Sequence, residues 1–244
     1  APAPGRTRVK DAAPSRLAAN GGRRAAPRGR ATTRSLESVG ARGVFNAPYE
    51  PLLFDVGRVP FPSVGGEQAC LDAIDRECRR APVAALIVEP LLLGAGGMRV
   101  YAPEVLAEMK RLCAAHGVLL IADEVLTGFG RTGTLFACEQ AGVAPDILCL
   151  AKGITGGALP LAATLCRADI FDAHYSQDRA RAFFHSSSYT ANPIACAAAL
   201  ENLKIWKDEP VRARVAALGA MQAEGLARLA GDPRFTNPRR LGTV

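Results

Sequence analysis

The distribution of apolar residues predicts three buried strands in the middle of this chain. Nearly continuous apolar runs occupy residues 84–90, 118–125 and 146–151, with glycine, proline or charged residues at their ends. A strand that is covered on both faces is apolar throughout, because neither face meets water. Runs this short are typical of strands rather than of helices.

Between and after these runs, apolar residues recur at helical spacing. Helices are predicted at about residues 65–80, from Pro103 to just before Gly117, at 192–206 and at 211–230. Proline at the first helical position and glycine after the last are the usual boundary signals. Strands that alternate with helices predict an α/β fold with a mostly parallel sheet flanked by helices and joined by right-handed crossovers.

The charge of the chain is concentrated at one end. Residues 1–35 hold nine Lys and Arg and one acid, whereas the rest of the 244 residues hold 21 basic and 22 acidic residues. The globular part is therefore nearly neutral, which argues against a nucleic-acid surface. Residues 1–37 are rich in Ala, Arg and Pro. They can be interpreted as a disordered basic tail, as a transit peptide, or as a segment not native to this fold, which is the interpretation we favour.

Cysteine usage points to a reducing compartment. The seven cysteines include no CxxC pair, and several lie in apolar segments. We therefore expect buried free thiols in the cytoplasm rather than disulfides or a metal site. No apolar run reaches the ~18 residues that a membrane helix needs.

The candidate chemistry lies where two of the predicted strands end. Asp123 closes the second apolar run and Lys152 follows the third. Ligands of open α/β sheets bind beyond the carboxyl ends of the strands. A lysine that can form a Schiff base and a carboxylate that can pair with a pyridinium nitrogen suit pyridoxal phosphate. Taken singly, a turn-capping aspartate and a solvated lysine are the plainer interpretations.

Three further segments extend this hypothesis. Glu89 ends the first strand run, either as a strand terminator or as a third carboxylate at the same edge. The hydroxyl-rich segment around Ser188 precedes the helix at Asn192, where it could bind phosphate or simply cap the helix. Residues 128–133 match GxGxxG, but a dinucleotide fingerprint needs a strand running directly into the first glycine and a helix after it. Asp123 and Glu124 intervene, so a tight loop carrying Arg131 is favoured.

Three long runs resemble the class III aminotransferases, a family with the fold-type I pyridoxal phosphate architecture. They are LIADEVLTGFGRTGTLFACE (residues 120–139), APDILCLAKG (144–153) and YTANPIACAAA (189–199). Within the family, residues 94–98, 136–139 and 161–165 resemble the members of biotin synthesis. That resemblance implies S-adenosylmethionine as amino donor and 8-amino-7-oxononanoate as keto acceptor.

The resemblance also implies a role for each site residue. Lys152 would be the Schiff-base lysine and proton shuttle, and Asp123 would hold the pyridinium. Val125 would pack on the ring face, and Glu89 would lie close to the ring. Ser188 would reach the phosphate of a neighbouring subunit's cofactor, which implies a homodimer. The reaction would follow a ping-pong course.

The similarity extends from about Val39 to Val244 and covers only the middle of the family's pattern. The glycine–serine phosphate loop and the small domain with its substrate-binding arginine are not recognisable. We therefore expect residues 38–210 to form a partial cofactor-binding domain and 211–244 to begin the small domain. Another class III ω-amino-acid aminotransferase, or a catalytically incompetent fragment, remains an alternative.

Overall fold

The computed structural model of this chain describes residues 53, 56–183, 185, 188–229, 231–235 and 237–244. The chain divides into two units, residues 1–58 and Val59–Val244. Every helix and strand described below belongs to the second unit. The predicted tail at residues 1–37 lies outside the described residues, so that prediction stays untested, as does the predicted boundary at residue 211.

The elements follow one another in the order that the apolar pattern predicts, with one hairpin, one further strand and one further short α-helix added. In chain order they are α1 (Glu67–Arg80), β1 (Ala85–Val88), β2 (Leu92–Leu93), β3 (Arg99–Val100), α2 (Pro103–His116), β4 (Leu119–Asp123), a 3-10 helix (Ala137–Ala141), β5 (Ile147–Leu150), a second 3-10 helix (Lys152–Thr155), β6 (Ala163–Cys166), α3 (Ala168–His174), α4 (Pro193–Asp208) and α5 (Val211–Leu229).

A four-stranded sheet with the order β1-β4-β5-β6 forms the centre of the unit. β1, β4 and β5 are parallel, with Val88 opposite Ala122 and Asp123 opposite Cys149. β6 is antiparallel to β5 and places Ala163 opposite Leu150. The prediction of a mostly parallel sheet is confirmed, and the carboxyl ends of the three parallel strands meet at one edge.

The helix boundaries follow local signals in the sequence. Pro103 occupies the start of α2, and Gly117 ends it in the left-handed region at φ 67°. The Asn192 side chain accepts hydrogen bonds from the N–H groups of Ile194 and Ala195, which caps the start of α4. Such a cap contributes about 1 kcal/mol to helix stability.

The core lies between the sheet and α1 and α2. Its fully buried members come mainly from α2, β4 and the β1–β2 connection: Leu91, Leu106, Cys113, Leu120 and Ala122. Phe61 and Tyr101 close one side of the core with edge-to-face rings 5.7 Å apart. In the part of the chain that the structure describes, no helix has the length and apolarity to cross a membrane.

Asp146 anchors the opposite edge of the sheet, at the start of β5. Only 3% of its side chain is exposed, and it forms ion pairs with Lys110 of α2 and Arg167 after β6. It also accepts a hydrogen bond from the N–H of Leu120 in β4. Burial acts to raise the pKa of Asp146, but these hydrogen bonds outweigh it and hold the pKa below its usual range. The carboxylate therefore ties α2, β4 and β6 to β5.

Candidate active site

Three titratable side chains lie at the carboxyl edge of the parallel strands. Glu89 follows β1, Asp123 is the last residue of β4, and Lys152 comes two residues after β5 ends. The pKa of Glu89 is raised, first by burial and also by the charge of Asp123, while the charge of Lys152 opposes the shift. Both predicted site residues are thus close enough to act electrostatically on the same carboxyl group.

Asp123 lies at the turn where β4 ends. Its Oδ1 accepts a hydrogen bond of 3.1 Å from the N–H of Val125, two residues on. This is the turn-capping role that the plainer interpretation of the sequence assigns to a strand-end aspartate. This hydrogen bond engages Oδ1. The other carboxylate oxygen of Asp123 accepts no hydrogen bond from the residues that the structure describes. The carboxylate can therefore hold the turn and bind a cationic group at once.

Lys152 has an exposed side chain and an unusual backbone. Its φ of 48° lies in the left-handed region, which costs a residue other than glycine about 1–2 kcal/mol. The exposed side chain is that of a solvated lysine, which is the plainer interpretation of this residue in the sequence. Strained backbone of this kind occurs preferentially at functional sites, where the surrounding structure holds it in place.

The residue after the lysine is in close contact with Phe129 from the loop after β4. A Cβ on Gly153 would lie 2.6 Å from the Cβ of Phe129, so only glycine fits there. Phe129 itself has a φ of 57°, and its ring meets Phe136 edge-to-face at 5.7 Å. The glycine motif at residues 128–133 forms turns, and the 3-10 helix at Ala137–Ala141 begins only four residues after it, in agreement with the tight-loop interpretation.

Glu89 is held by the hairpin of β2 and β3. Its Oε2 accepts a hydrogen bond of 3.0 Å from the N–H of Gly94, and its carbonyl accepts one from the Tyr101 hydroxyl. A Cβ on Gly94 would lie 2.1 Å from Leu126 Cδ2 and 3.3 Å from Glu89 Oε2, so the hairpin packs closely against both side chains. Glu89 is therefore a fixed carboxyl group rather than a mobile surface residue.

Sequence reasoning did not single out Glu124, although it neighbours Asp123. Glu124 is fully buried and accepts hydrogen bonds from the Thr127 hydroxyl and from the N–H groups of Ala137 and Cys138. It joins the end of β4 to the first 3-10 helix. The only signal in the sequence was a second acid directly after a buried strand, and its partners are 13 and 14 residues away.

Of the two remaining predicted residues, one lies beside this group and the other is not hydrogen-bonded to it. Val125 is half-buried beside Asp123, and Ser188 is exposed. No hydrogen bond joins Ser188 to Glu89, Asp123 or Lys152 among the described residues. Cys149, opposite Asp123 in the sheet, has its thiol pKa raised by burial and by the Asp123 charge. None of the seven cysteines forms a disulfide, and no group of metal-ligating side chains occurs within the described ranges.

The sequence of this chain matches a known family. Residues 39–244 match the aminotransferase class-III family, and the chain belongs to it. Its fold is that of the fold-type I pyridoxal phosphate aminotransferases, represented here by part of the sheet and its helices.

Individual relatives refine this assignment. The chain is 45% identical to the adenosylmethionine-8-amino-7-oxononanoate aminotransferase of Synechococcus elongatus, over 85% of this chain and 50% of that protein. The crystal structure of the enzyme of the same name from Methanocaldococcus jannaschii is similar with a TM-score of 0.74 at 31% identity, covering 82% of this chain and 46% of that one.

A further solved structure is a PLP-bound amine transaminase from an uncultivated Pseudomonas species. It matches with a TM-score of 0.77 at 36% identity and covers 84% of this chain and 50% of that one. The chain thus spans about half the length of the relatives that it matches.

Proposed function

We propose that this chain is the cofactor-binding part of a pyridoxal phosphate-dependent aminotransferase. The observation that supports the proposal best is the meeting of Asp123, Lys152 and Glu89 at one edge of a parallel sheet. An amine and a carboxylate at this edge are the two groups that the cofactor needs. The second oxygen of Asp123 is available to a cationic ring nitrogen. When bound, pyridoxal phosphate supplies an electron sink for the substrate α-carbon.

Each residue has its own role in this proposal. Lys152 provides the amine that attaches the cofactor, and it carries the proton at the substrate α-carbon. Asp123 keeps the ring nitrogen protonated, because a carboxylate favours the charged form of its neighbour. Val125 packs on the ring face, Glu89 lies close to the ring, and Ser188 binds the phosphate held by a second subunit.

For the substrates we propose transfer from S-adenosylmethionine to 8-amino-7-oxononanoate, which gives 7,8-diaminononanoate in biotin synthesis. The names of the Synechococcus and Methanocaldococcus relatives support this pair. Structural similarity to an amine transaminase supports the second candidate, another class III enzyme that acts on ω-amino donors.

We further propose a cytoplasmic homodimer. Reduced cysteines suit the cytoplasm. Large apolar side chains around α3 and α4 are strongly exposed, which is typical of a surface that a partner covers. They are Phe171, Tyr175, Phe183, Ile194 and Leu200, with exposed fractions of 56%, 77%, 70%, 70% and 63%.

The alternative to an active enzyme is a chain that keeps the fold's centre without the activity. The coverage of only half of each relative supports this alternative. Incubating the purified chain with pyridoxal phosphate and S-adenosylmethionine separates the two, with the absorbance of the bound cofactor as readout. We expect a spectral change that 8-amino-7-oxononanoate reverses. A spectrum that responds only to ω-amino donors would favour the second candidate, and one that responds to no donor would favour the inactive chain.

A further inference from the structure

The segment that follows the candidate cofactor lysine folds back onto it. In this lysine turn, residues 152–157, the Lys152 carbonyl accepts hydrogen bonds from the N–H groups of Gly156 and Gly157. The Gly153 carbonyl also accepts one of 3.0 Å from Gly156. The position of the Lys152 backbone therefore depends on the rigidity of this short turn.

One side chain from a distant helix holds the turn. The Nδ2 of Asn202 in α4 donates hydrogen bonds to the carbonyls of Gly153 at 2.9 Å and Ile154 at 3.1 Å. These are the first two peptide carbonyls after that of Lys152. The Oδ1 of the same amide lies beside Gly156, 3.4 Å from where a Cβ would stand. Asn202 thus contacts the turn at three residues.

The turn is also in contact with an aromatic side chain that rests on the same helix. Phe129 packs against Gly153, and its ring meets Trp206 of α4 at 6.3 Å. Asn202 and Trp206 are four residues apart, which places them on one face of the helix. α4 therefore supports the lysine turn directly through Asn202 and indirectly through Phe129.

This arrangement explains how Lys152 stays in a conformation that its own backbone disfavours. A lysine in the left-handed region relaxes unless its surroundings prevent it. We propose that Asn202 is a positioning residue for Lys152, and that its two hydrogen bonds to the Gly153 and Ile154 carbonyls hold the lysine where its amine meets pyridoxal phosphate. This inference rests on the proposed function.

The test compares Asn202→Leu, which keeps the approximate size and removes both donors, with Glu201→Gln. Glu201 is the next residue on the same helix and pairs with Lys204 in solvent, so its substitution is a matched control. Three quantities are measured on the 244-residue chain. They are hydrogen exchange of the Gly156 and Gly157 amides, the rate of the borohydride-trapped pyridoxal phosphate adduct at Lys152, and the pH midpoint of the bound cofactor's absorbance.

In Asn202→Leu we expect exchange about tenfold faster and adduct formation about tenfold slower, the factor that a left-handed preference supports. The pH midpoint of the bound cofactor's absorbance should shift by about half a unit, because the Lys152 amine is no longer held in a single environment. The control should match the unaltered chain in all three. If Asn202→Leu does not fold, Asn202→Ser is used instead, since its shorter hydroxyl cannot bridge both carbonyls.

The outcomes separate this inference from the proposed function. Faster exchange with an unchanged adduct rate and pH midpoint would make Asn202 merely structural and overturn the inference. Unchanged exchange would overturn it as well. If the unaltered chain forms no adduct at Lys152, the proposed function fails first, and the positioning role fails with it.

Discussion

Two neighbouring carboxylates at the end of β4 have opposite tasks. Asp123 presents one oxygen to the carboxyl edge of the sheet, whereas Glu124 is fully buried and bonded to three donors. The difference follows from the alternation of a strand, which directs successive side chains to opposite faces. One residue is therefore available for chemistry, and the other stabilises the loop behind it.

This division predicts different outcomes for two isosteric substitutions. Asp123→Asn keeps an oxygen for the Val125 N–H and loses the charge, so the melting temperature should hold. The affinity for pyridoxal phosphate should fall by about tenfold to a hundredfold, the range that a hydrogen bond to a charged group supports.

Glu124→Gln should do the reverse. In either orientation its amide would turn a donor toward an N–H group that is itself a donor, in a fully buried site. We expect a loss of about 3 kcal/mol in the free energy of unfolding, measured by urea denaturation. Equal losses of stability in the two variants would contradict the division of tasks.

Among the helices and strands, signals in the local sequence predicted the helix boundaries and the strand positions. Pro103 and Gly117 bounded α2, and the continuous apolar runs located β1, β4 and β5. The antiparallel strand β6 was not predicted, because Ala163–Cys166 is exposed along most of its length and has no buried pattern to detect. The contacts of Asp146 and Asn202 could not be predicted from the sequence either, because their partners are 21 to 49 residues away along the chain.

Asp146 holds three elements together at the edge of the sheet away from the site. We expect Asp146→Asn to destabilise the chain by about 2 kcal/mol, since it weakens two part-buried ion pairs whose basic partners, Lys110 and Arg167, reach solvent. Adduct formation at Lys152 under folding conditions should stay the same. A variant with normal stability, or with a selective loss of adduct formation, would contradict this account.

The loss of folding stability at acid pH also depends on Asp146, whose pKa is held below its usual range. A carboxyl with a depressed native pKa contributes stability above its unfolded pKa of about 3.9 and loses it as the pH falls through the native pKa. Asp75, whose hydrogen bonds with Arg79 and His116 lower its pKa to about 2, acts in the same direction between α1 and α2. Urea midpoints should therefore fall steeply below about pH 4, and less steeply in Asp146→Asn.

At the scale of the whole molecule, the site would be completed by a second copy. If Ser188 binds the phosphate held by another subunit, mixing Lys152→Ala with Ser188→Ala should restore function. Each hybrid dimer would carry one intact site, so about a quarter of all sites should bind pyridoxal phosphate normally in a random mixture. Binding no better than the average of the two separate variants would place Ser188 outside the partner's site.

The proposed role of Lys152 as the cofactor lysine can be tested by locating the covalent adduct on the chain. The chain is incubated with pyridoxal phosphate, reduced with borohydride, digested and mapped by mass spectrometry. We expect one dominant adduct on Lys152 at low cofactor concentration, and its loss in Lys152→Arg. Labelling spread over the other lysines, with Lys152 unmodified, would contradict the account.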